Sequence, residues 1–344
     1  MSKCLLDIKT LEKFDTEKMY KVYDNWPMIA REQYEKKLKK VDYEGIKHIV
    51  FAGMGGSGAI GDIFSSILSK TGIHVDVIKG YQLPKTVNSD SLVVTTSVSG
   101  DTEETLYILS EAIQIKSKII AFSDGGKMEK FCEENSIEHR KIPMKHSPRA
   151  SFPIFLFSML QILEPILPIE KKDVINSFNE MEKLAENISS KNLTKENESL
   201  RLAEWISDIP LIYYPWGLQA ASIRFKNSLQ ENSKIHAITE DVIEACHNGI
   251  VSWNKPSNIQ PILIEGTDDH IKTKERWKIL KEFFKKEEIE FKEVHSIEGD
   301  ILSKVINLIY LLDYASIYKA VLSKIDPTPV EPIEFMKKRL SGLS

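Results

Sequence analysis

The chain contains very little cysteine, and its few cysteines are not spaced for a structural role. Cys4, Cys132 and Cys246 are the three cysteines among 344 residues, and no Cys-x-x-Cys pair occurs. An odd number of widely separated thiols does not predict a disulfide framework, and a thiolate zinc site needs closer pairs. Reduced thiols are typical of the cytoplasm, so the sequence predicts a cytoplasmic protein.

An excess of either charge is also absent. Lys and Arg total 46, Asp and Glu total 50, and the net charge at pH 7 is -4. This balance excludes a broadly basic nucleic-acid-binding protein and a polybasic membrane-surface protein, so we expect neither partner. It leaves room for an anionic substrate, because helix N-termini can hold a phosphate in an acidic protein.

No long uninterrupted hydrophobic run occurs. The most apolar stretch, residues 152–169, is interrupted by three prolines, a glutamine and a glutamate, and therefore predicts a buried core helix rather than a membrane span. The N-terminus, MSKCLLDIKTLEKFD, turns polar within a few residues and lacks the pattern of a signal peptide.

What is present is a repeated strand–helix alternation. Short β-branched runs occupy residues 48–54, 74–79, 91–98 and 118–124, and then 209–216, 234–240, 260–266 and 291–297. Residues 138–144 are a candidate edge strand, and helical patterns fill residues 217–231, 269–287 and 299–323. Near-continuous apolar strands between helices predict an α/β fold with parallel sheets covered by helices.

The length of the chain favours about two domains, and the pattern divides accordingly. We predict an N-terminal helical segment (1–45), a first α/β domain (46–190), a second α/β domain (191–325) and a C-terminal tail (326–344). The tail begins with Asp-Pro-Thr-Pro, which must be extended, and ends in a short amphipathic helix.

A glycine-rich segment, Gly53–Gly58, follows the first predicted strand; we call it the glycine loop. Glycines permit a tight turn and let backbone N–H groups approach a ligand. The spacing resembles a dinucleotide-binding loop, but Ser57 interrupts it, and Lys79 and Gly80 stand where a ribose-binding acid is expected. A tight turn without any ligand remains a simple alternative.

A second segment combines hydroxyls with a helix start after the strand 91–98. Ser97, Ser99 and Thr102 surround Gly100 in residues 97–102, which we call the hydroxyl loop. Hydroxyl groups beside the free N–H groups of a helix N-terminus suit a bound phosphate. The alternative is ordinary helix capping by Thr102.

Together these loops resemble the sugar isomerase (SIS) domain, which binds phosphorylated sugars on a flavodoxin-like sheet. Ser57, Ser97, Ser99 and Thr102 match the family's phosphate-contacting positions, and the resemblance also places Gly56 at the substrate. The predicted architecture is therefore two flavodoxin-like SIS subdomains followed by the helical tail.

Four separated motifs extend the resemblance over residues 48–340. HSPRASFP, the segment ending in ENSK, HNG and DPTPV are similar to those of archaeal-type bifunctional phosphoglucose/phosphomannose isomerases. The resemblance makes Glu231 the catalytic base and His247 the group that assists ring opening, in the neighbouring subunit's site. It also implies active-site roles for Arg149 and for Lys337, with Lys338 as the adjacent alternative. Thr328 is the further candidate, linked to acceptance of the mannose epimer.

The resemblance thus implies reversible isomerisation of glucose 6-phosphate, and of mannose 6-phosphate, to fructose 6-phosphate through a cis-enediol. It implies a homodimer that binds a phosphorylated hexose and needs neither cofactor nor metal. Each site residue also has a plain structural reading: a solvated helix charge for Glu231, a surface or cap histidine for His247, and surface cations for Arg149 and Lys337.

Three other functions compete with this prediction. A non-catalytic SIS sensor or regulator would usually carry a helix-turn-helix, which residues 1–45 lack, and would not need both Glu231 and His247. An amidotransferase isomerase half needs an N-terminal cysteine domain, whereas Cys4 stands in a short leader. A dinucleotide oxidoreductase is disfavoured by Ser57 and the missing ribose acid.

Overall fold

The computed structural model describes residues 6–340, so Cys4 and the last four residues of the tail lie outside the described part. Cys132 and Cys246 are free thiols. Three short helices precede the first sheet, as the sequence predicts: α1 (Ile8–Phe14), α2 (Met19–Asp24) and α3 (Trp26–Glu35). They belong to the main hydrophobic core, because the fully buried Trp26 stacks on Tyr23 and donates from Nε1 to the Ala150 carbonyl oxygen over 3.0 Å.

The first sheet is five-stranded and parallel throughout. Its strands in chain order are β1 (His48–Ala52), β2 (His74–Ile78), β3 (Leu92–Ser97), β4 (Lys118–Ser123) and β5 (Glu138–Lys141). The spatial order is β2-β1-β3-β4-β5, so the predicted edge strand is confirmed as β5. The connecting helices are α4 (Gly55–Leu68), α5 (Glu103–Ile115) and α6 (Gly126–Glu134). Every residue of β3 is buried, as expected for a parallel strand covered on both faces.

A connecting region of helices follows. The predicted core helix over 152–169 is confirmed only as far as α7 (Phe152–Ile162), and a short 3-10 turn, Glu164–Ile166, comes next. The α-helix ends there because Pro165 supplies no N–H for the helical ladder. After it come α8 (Lys171–Ile188) and α9 (Glu198–Trp205).

The second sheet has four parallel strands in the order β7-β6-β8-β9. The strands are β6 (Ile209–Tyr214), β7 (Ile238–Asp241), β8 (Ile259–Glu265) and β9 (Lys292–His295), and the helices are α10 (Gln219–Ser228), α11 (Val242–Ala245) and α12 (Ile271–Lys286). The predicted helix over 217–231 and strand over 234–240 are wrong in their bounds. A π-helical turn, Leu229–Ser233, and the left-handed Lys234 (φ 58°) separate α10 from β7.

One long apolar helix, α13 (Ile301–Leu322), forms the centre of the molecule, and α14 (Glu331–Leu340) follows in the tail. Among residues 6–340, α13 is the one helix long and apolar enough to cross a membrane, but 89% of its apolar stretch is buried inside the fold. It packs against α8, α9 and α10, and a single core cluster therefore joins the two halves.

The topology determines where a ligand can bind. From β1 the chain runs outward to β2 at one edge, and from β3 it runs outward to β5 at the other. In open α/β sheets the crevice beyond the carboxyl ends of the strands at such a reversal is the usual ligand site. The glycine loop and the hydroxyl loop both lie at this reversal, one after β1 and one after β3.

Candidate active site

The glycine loop lets two segments approach each other closely. A Cβ added at Gly53 would lie 2.9 Å from the Ser57 carbonyl carbon and 3.0 Å from the Thr96 oxygen, so only glycine fits. A Cβ at Gly56 would lie 3.6 Å from Cα of Arg149, which places this loop beside the arginine. The α4 helix begins there without a side-chain cap, which leaves its first N–H groups available to a ligand.

The hydroxyl loop is held in place by its own hydroxyl groups. Ser97 Oγ donates to Thr102 Oγ1 over 2.9 Å and accepts from the Gly100 N–H over 3.1 Å. Ser57 Oγ accepts from the Val98 N–H over 3.2 Å and so joins the glycine loop to this one. Thr102 is the N-cap residue of α5, but its side chain makes no capping hydrogen bond, and capping alone therefore does not explain these hydroxyls.

Arg149 connects three distant segments of the chain. Its side chain is almost fully buried; Nε donates to Asn232 Oδ1 over 2.6 Å, and Nη1 lies 3.3 Å from Glu231 Oε2. Nη2 donates to the carbonyl oxygens of Pro327 (2.6 Å) and Thr328 (2.9 Å). The segment before α7, the π-helical turn after α10 and the beginning of the tail therefore meet at one guanidinium.

Glu231 lies on the π-helical turn, and its neighbours fix that turn. Asn232 Nδ2 donates to Ser316 Oγ over 2.8 Å, and Ser233 Oγ donates to the Ser316 carbonyl oxygen over 2.7 Å. Asn232 and Ser233 are fully buried, whereas the Glu231 side chain keeps 24% of its exposure. Single π-turns inside helices occur frequently at functional sites, and here the turn directs one carboxylate out of a buried framework.

A second, fully buried ion pair lies behind the first. Arg224 donates from Nε and Nη2 to Asp313 Oδ2 over 2.9 and 2.7 Å, and the two side chains are 2% and 0% exposed. Burial raises the pKa of the Asp313 carboxyl, and the Arg224 charge opposes that rise. Ser228 Oγ donates to Asp313 Oδ1, and Arg224 Nη2 also donates to the Arg149 carbonyl oxygen over 3.0 Å. Sequence reasoning missed this pair.

A cavity of about 490 Å³ opens at Glu231, within the size range of small-molecule sites. Lys79, Lys226 and Lys234 give it a positive lining, and the remaining wall comes from Gly55, α10, Pro329, Val330, Pro332 and Ile333. Lys79 also pairs with the buried Asp62 over 2.6 Å. Burial raises the pKa of Asp62, and the Lys79 charge lowers it. A cavity of equal volume lies against α12, but Glu231 does not line it.

Comparison with known proteins now identifies the family. The SIS domain model matches residues 43–162, and the model of the bacterial phospho-glucose isomerase C-terminal SIS domain matches residues 195–340. A bifunctional phosphoglucose/phosphomannose isomerase from Caldicellulosiruptor bescii is 33% identical over 94% of this chain and 99% of its own length. One from Aquifex aeolicus is 30% identical over 94% of this chain and 98% of its own length. The chain belongs to this isomerase family.

A solved structure shares the fold of this isomerase-family chain. The C-terminal domain of glucosamine-fructose-6-phosphate aminotransferase from Francisella tularensis superimposes with a TM-score of 0.70. The match covers 90% of this chain and 98% of that one, at 16% sequence identity. At that identity the likeness concerns the arrangement of the two sheets and not the reaction.

Within this isomerase-family fold, two of the predicted site residues, His247 and Lys337, do not line the cavity at Glu231. His247 follows α11 on the surface, and among the described residues its ring makes no hydrogen bond or ion pair. Lys337 is exposed on α14, four residues beyond Ile333, which lines the cavity. Positions four apart share a helix face, so Lys337 lies on the face of α14 that begins at the cavity.

Thr328, the further candidate of the sequence analysis, lies beside Arg149. Its carbonyl oxygen accepts from Arg149, while its Oγ1 is buried with no hydrogen-bond partner in the described part of the chain. A buried hydroxyl without a partner costs free energy, and a polar group of a ligand would satisfy it. The single chain thus brings together Gly56, Ser57, Arg149, Glu231 and Thr328.

Proposed function

We propose that the protein catalyses the reversible isomerisation of glucose 6-phosphate, and of mannose 6-phosphate, to fructose 6-phosphate. The observation that carries this proposal is the Glu231 carboxylate held 3.3 Å from the buried Arg149 guanidinium at the mouth of a cavity. The relatives named as bifunctional phosphoglucose/phosphomannose isomerases supply the substrate class.

The hydroxyl loop anchors the substrate phosphate in this proposal. Ser57, Ser97, Ser99 and Thr102 bring hydroxyl groups to the start of α5, whose first N–H groups carry no side-chain cap. The helix dipole adds favourable electrostatics for an anion. Binding energy gained at the phosphate, remote from the reacting carbons, then orients C1 and C2.

Glu231 carries the proton between carbons. Its carboxylate removes the proton from C2 of the open-chain aldose, and the electron pair of that C–H bond forms the enediolate as the C1 carbonyl oxygen gains charge. The carboxyl group then returns the proton to C1, while the O2 hydroxyl loses its proton to O1 and becomes the ketone. The fixed Arg149 charge stabilises the enediolate, as a preorganised cation does for developing anions.

The two epimers differ in which face of C2 presents the hydrogen. One base serves both only if the substrate turns about its C2–C3 bond, which needs space beside a small residue. We assign this role to Thr328, whose buried hydroxyl has no hydrogen-bond partner in the described part of the chain. We expect Thr328→Val to lower kcat/KM for mannose 6-phosphate and glucose 6-phosphate by different factors. Equal factors would contradict a role in epimer selection.

His247 and Lys337 can reach a Glu231 site only with a second subunit or a movement of α14. We infer a homodimer, in which His247 assists ring opening in the neighbouring subunit's site, because its ring is exposed and unpaired within the described part of its own chain. Lys337 reaches the substrate when α14 closes over the cavity. We also infer a cytoplasmic enzyme that uses no cofactor and no catalytic metal and binds neither nucleic acid nor membrane.

The decisive experiment compares Glu231→Gln with the wild type on both aldose phosphates, following fructose 6-phosphate formation. Loss of a general base lowers the rate typically about 10²- to 10⁴-fold, and we expect kcat to fall within that range. Glu293→Gln is the matched control, because Glu293 pairs with Lys281 outside the cavity and its loss should leave kcat unchanged.

Three results would contradict the proposal in whole or in part. Undiminished turnover by Glu231→Gln would remove Glu231 as the base. A wild-type protein that binds the hexose phosphates without isomerising them would favour the alternative, a non-catalytic phosphosugar sensor. Turnover of glucose 6-phosphate alone would remove the mannose half of the proposal.

A further inference from the structure

We propose that His48, His74 and Asp76 form a binding site for one divalent transition-metal cation of the zinc class. The three side chains lie at the start of the first sheet, on β1 and β2. This is the end opposite to the glycine and hydroxyl loops, so the proposal does not rest on the isomerase function.

The register of the sheet brings these residues together. His48 pairs directly with His74 between the parallel strands β1 and β2, and Asp76 follows His74 by two residues. Side chains two apart on a strand point to the same face, and direct partners stand side by side. The backbone therefore fixes two imidazoles and one carboxylate on a single face, without help from a flexible loop.

The donor atoms have the spacing of a coordination site. His48 Nε2 lies 2.9 Å from Asp76 Oδ2, and His74 Nε2 lies 3.4 Å from the same oxygen. One potential ligand atom from each of the three residues lies within 4.8 Å of the other two. A tetrahedral zinc ion with bonds near 2.0–2.1 Å separates its ligand atoms by about 3.3 Å. Two imidazole nitrogens and a carboxylate oxygen are a donor set that zinc, cobalt and nickel accept.

A neighbouring hydroxyl holds one ligand in the orientation that coordination needs. Ser91 Oγ lies 3.1 Å from His48 Nδ1 and accepts from the Asn88 N–H over 3.1 Å. When His48 Nδ1 donates to Ser91, the lone pair of Nε2 faces the Asp76 carboxylate, and a cation between them removes that repulsion. Metal-bound histidines are oriented in this way through their second nitrogen.

A second cluster of similar composition gives the contrast. Glu265, Glu293 and His295 also bring their ligand atoms within 4.8 Å of one another. There the Lys281 ammonium already lies 3.0 Å from Glu265 and 3.1 Å from Glu293, where a metal would have to bind. Among residues 6–340 no lysine or arginine forms an ion pair with Asp76, whose ion-pair partners are the two histidines.

The position of the site predicts its physical effect. β2 is the edge strand of the first sheet, so a bound cation would tie that edge to β1. The side chains are 14%, 64% and 28% exposed for His48, His74 and Asp76, which leaves an entry path and room for a water ligand. Because the ion binds only the folded chain, it should raise the unfolding temperature.

The test uses the full-length protein without a histidine tag, treated with chelator and then titrated with zinc chloride by calorimetry. We expect one zinc ion per chain and a rise in Tm with zinc. Loss of even an outer-shell partner typically weakens metal binding by about 10- to 100-fold, so His74→Ala and Asp76→Asn, which each remove a direct ligand, should weaken it by about 100-fold or more and abolish the rise in Tm. His295→Ala is the matched control and should bind zinc like the wild type.

Wild-type protein without stoichiometric zinc binding would overturn the proposal. So would binding that survives His74→Ala unchanged, or binding that is lost in His295→Ala instead. His74 is mostly exposed, so its replacement tests the ligand without disturbing the core. Isomerase turnover should be the same for His74→Ala and the wild type, which separates this test from the test of Glu231.

Discussion

Replacing Asp313 by asparagine should lower both the stability and the turnover of the protein. The substitution keeps the shape of the side chain but removes a charge that is 0% exposed. Arg224, itself 2% exposed, would then be a buried guanidinium without a counter-charge. The same change weakens the hydrogen bond that Ser228, at the end of α10, donates to residue 313. It also leaves Arg224 less firmly held in the position from which it donates to the Arg149 carbonyl oxygen.

The magnitude follows from the burial of both partners. Breaking a buried ion pair by removing one charge costs about 3–5 kcal/mol of unfolding free energy. Exposed pairs contribute about 0–1 kcal/mol, so Glu182→Gln at the half-exposed Arg31–Glu182 pair is the matched control. Urea unfolding of the two variants beside the wild type measures the difference.

A double variant separates stability from positioning. Replacing a buried pair by apolar residues of similar size is often neutral or stabilising, so Arg224→Met with Asp313→Leu should recover most of the lost free energy. Turnover should stay low, because nothing then holds the Arg149 carbonyl oxygen or the residue that precedes the π-helical turn. A stable double variant with wild-type kcat/KM would refute the positioning role.

Three further predictions concern the cavity, the hydroxyl loop and the proposed dimer. Lys79→Met removes the charge that lowers the pKa of the buried Asp62, so the pKa of that carboxyl rises further above its ordinary value of 3.8. As the pH rises above that ordinary value, the unfolding free energy of Lys79→Met should therefore fall more steeply than that of the wild type, and adding Asp62→Asn should remove the extra slope. Thr102→Val should raise KM for glucose 6-phosphate about fivefold with little change in kcat, since one hydrogen bond contributes about 1 kcal/mol. Mixing inactive Glu231→Gln and His247→Ala subunits should restore about a quarter of wild-type turnover if sites are shared across a dimer, and none if each subunit is self-sufficient.

Much of the fold could be predicted because apolar runs and glycine punctuation are local signals. The strands ending in the glycine and hydroxyl loops occur where the sequence predicts them, and so does the edge strand Glu138–Lys141. The region around Glu231 was predicted less well. A continuous helix over 217–231 fits the residue pattern, but the buried Asn232 and Ser233 bind Ser316 on α13 and draw the chain into a π-helical turn.

The charged framework behind the site depends on contacts that no local pattern encodes. Arg149 and Glu231 lie 82 residues apart, and Arg224 and Asp313 lie 89 apart. One signal was available: Asp313 is the one acidic residue within the apolar helix α13. A lone carboxylate in a buried apolar helix requires a buried partner, although the sequence does not say which cation provides it.

The number of free N–H donors on Arg149 limits which part of the substrate this residue can bind. A guanidinium has five N–H donors and no acceptor. Protein oxygens already take four of them: Asn232 at Nε, Glu231 at Nη1, and the carbonyl oxygens of Pro327 and Thr328 at Nη2. At most one N–H remains for a substrate oxygen, which suits a single enediolate oxygen but not the bidentate grip that arginine gives a phosphate. The proposed phosphate site at the hydroxyl loop therefore does not require donors from Arg149, and the start of α5 offers N–H groups without a side-chain cap.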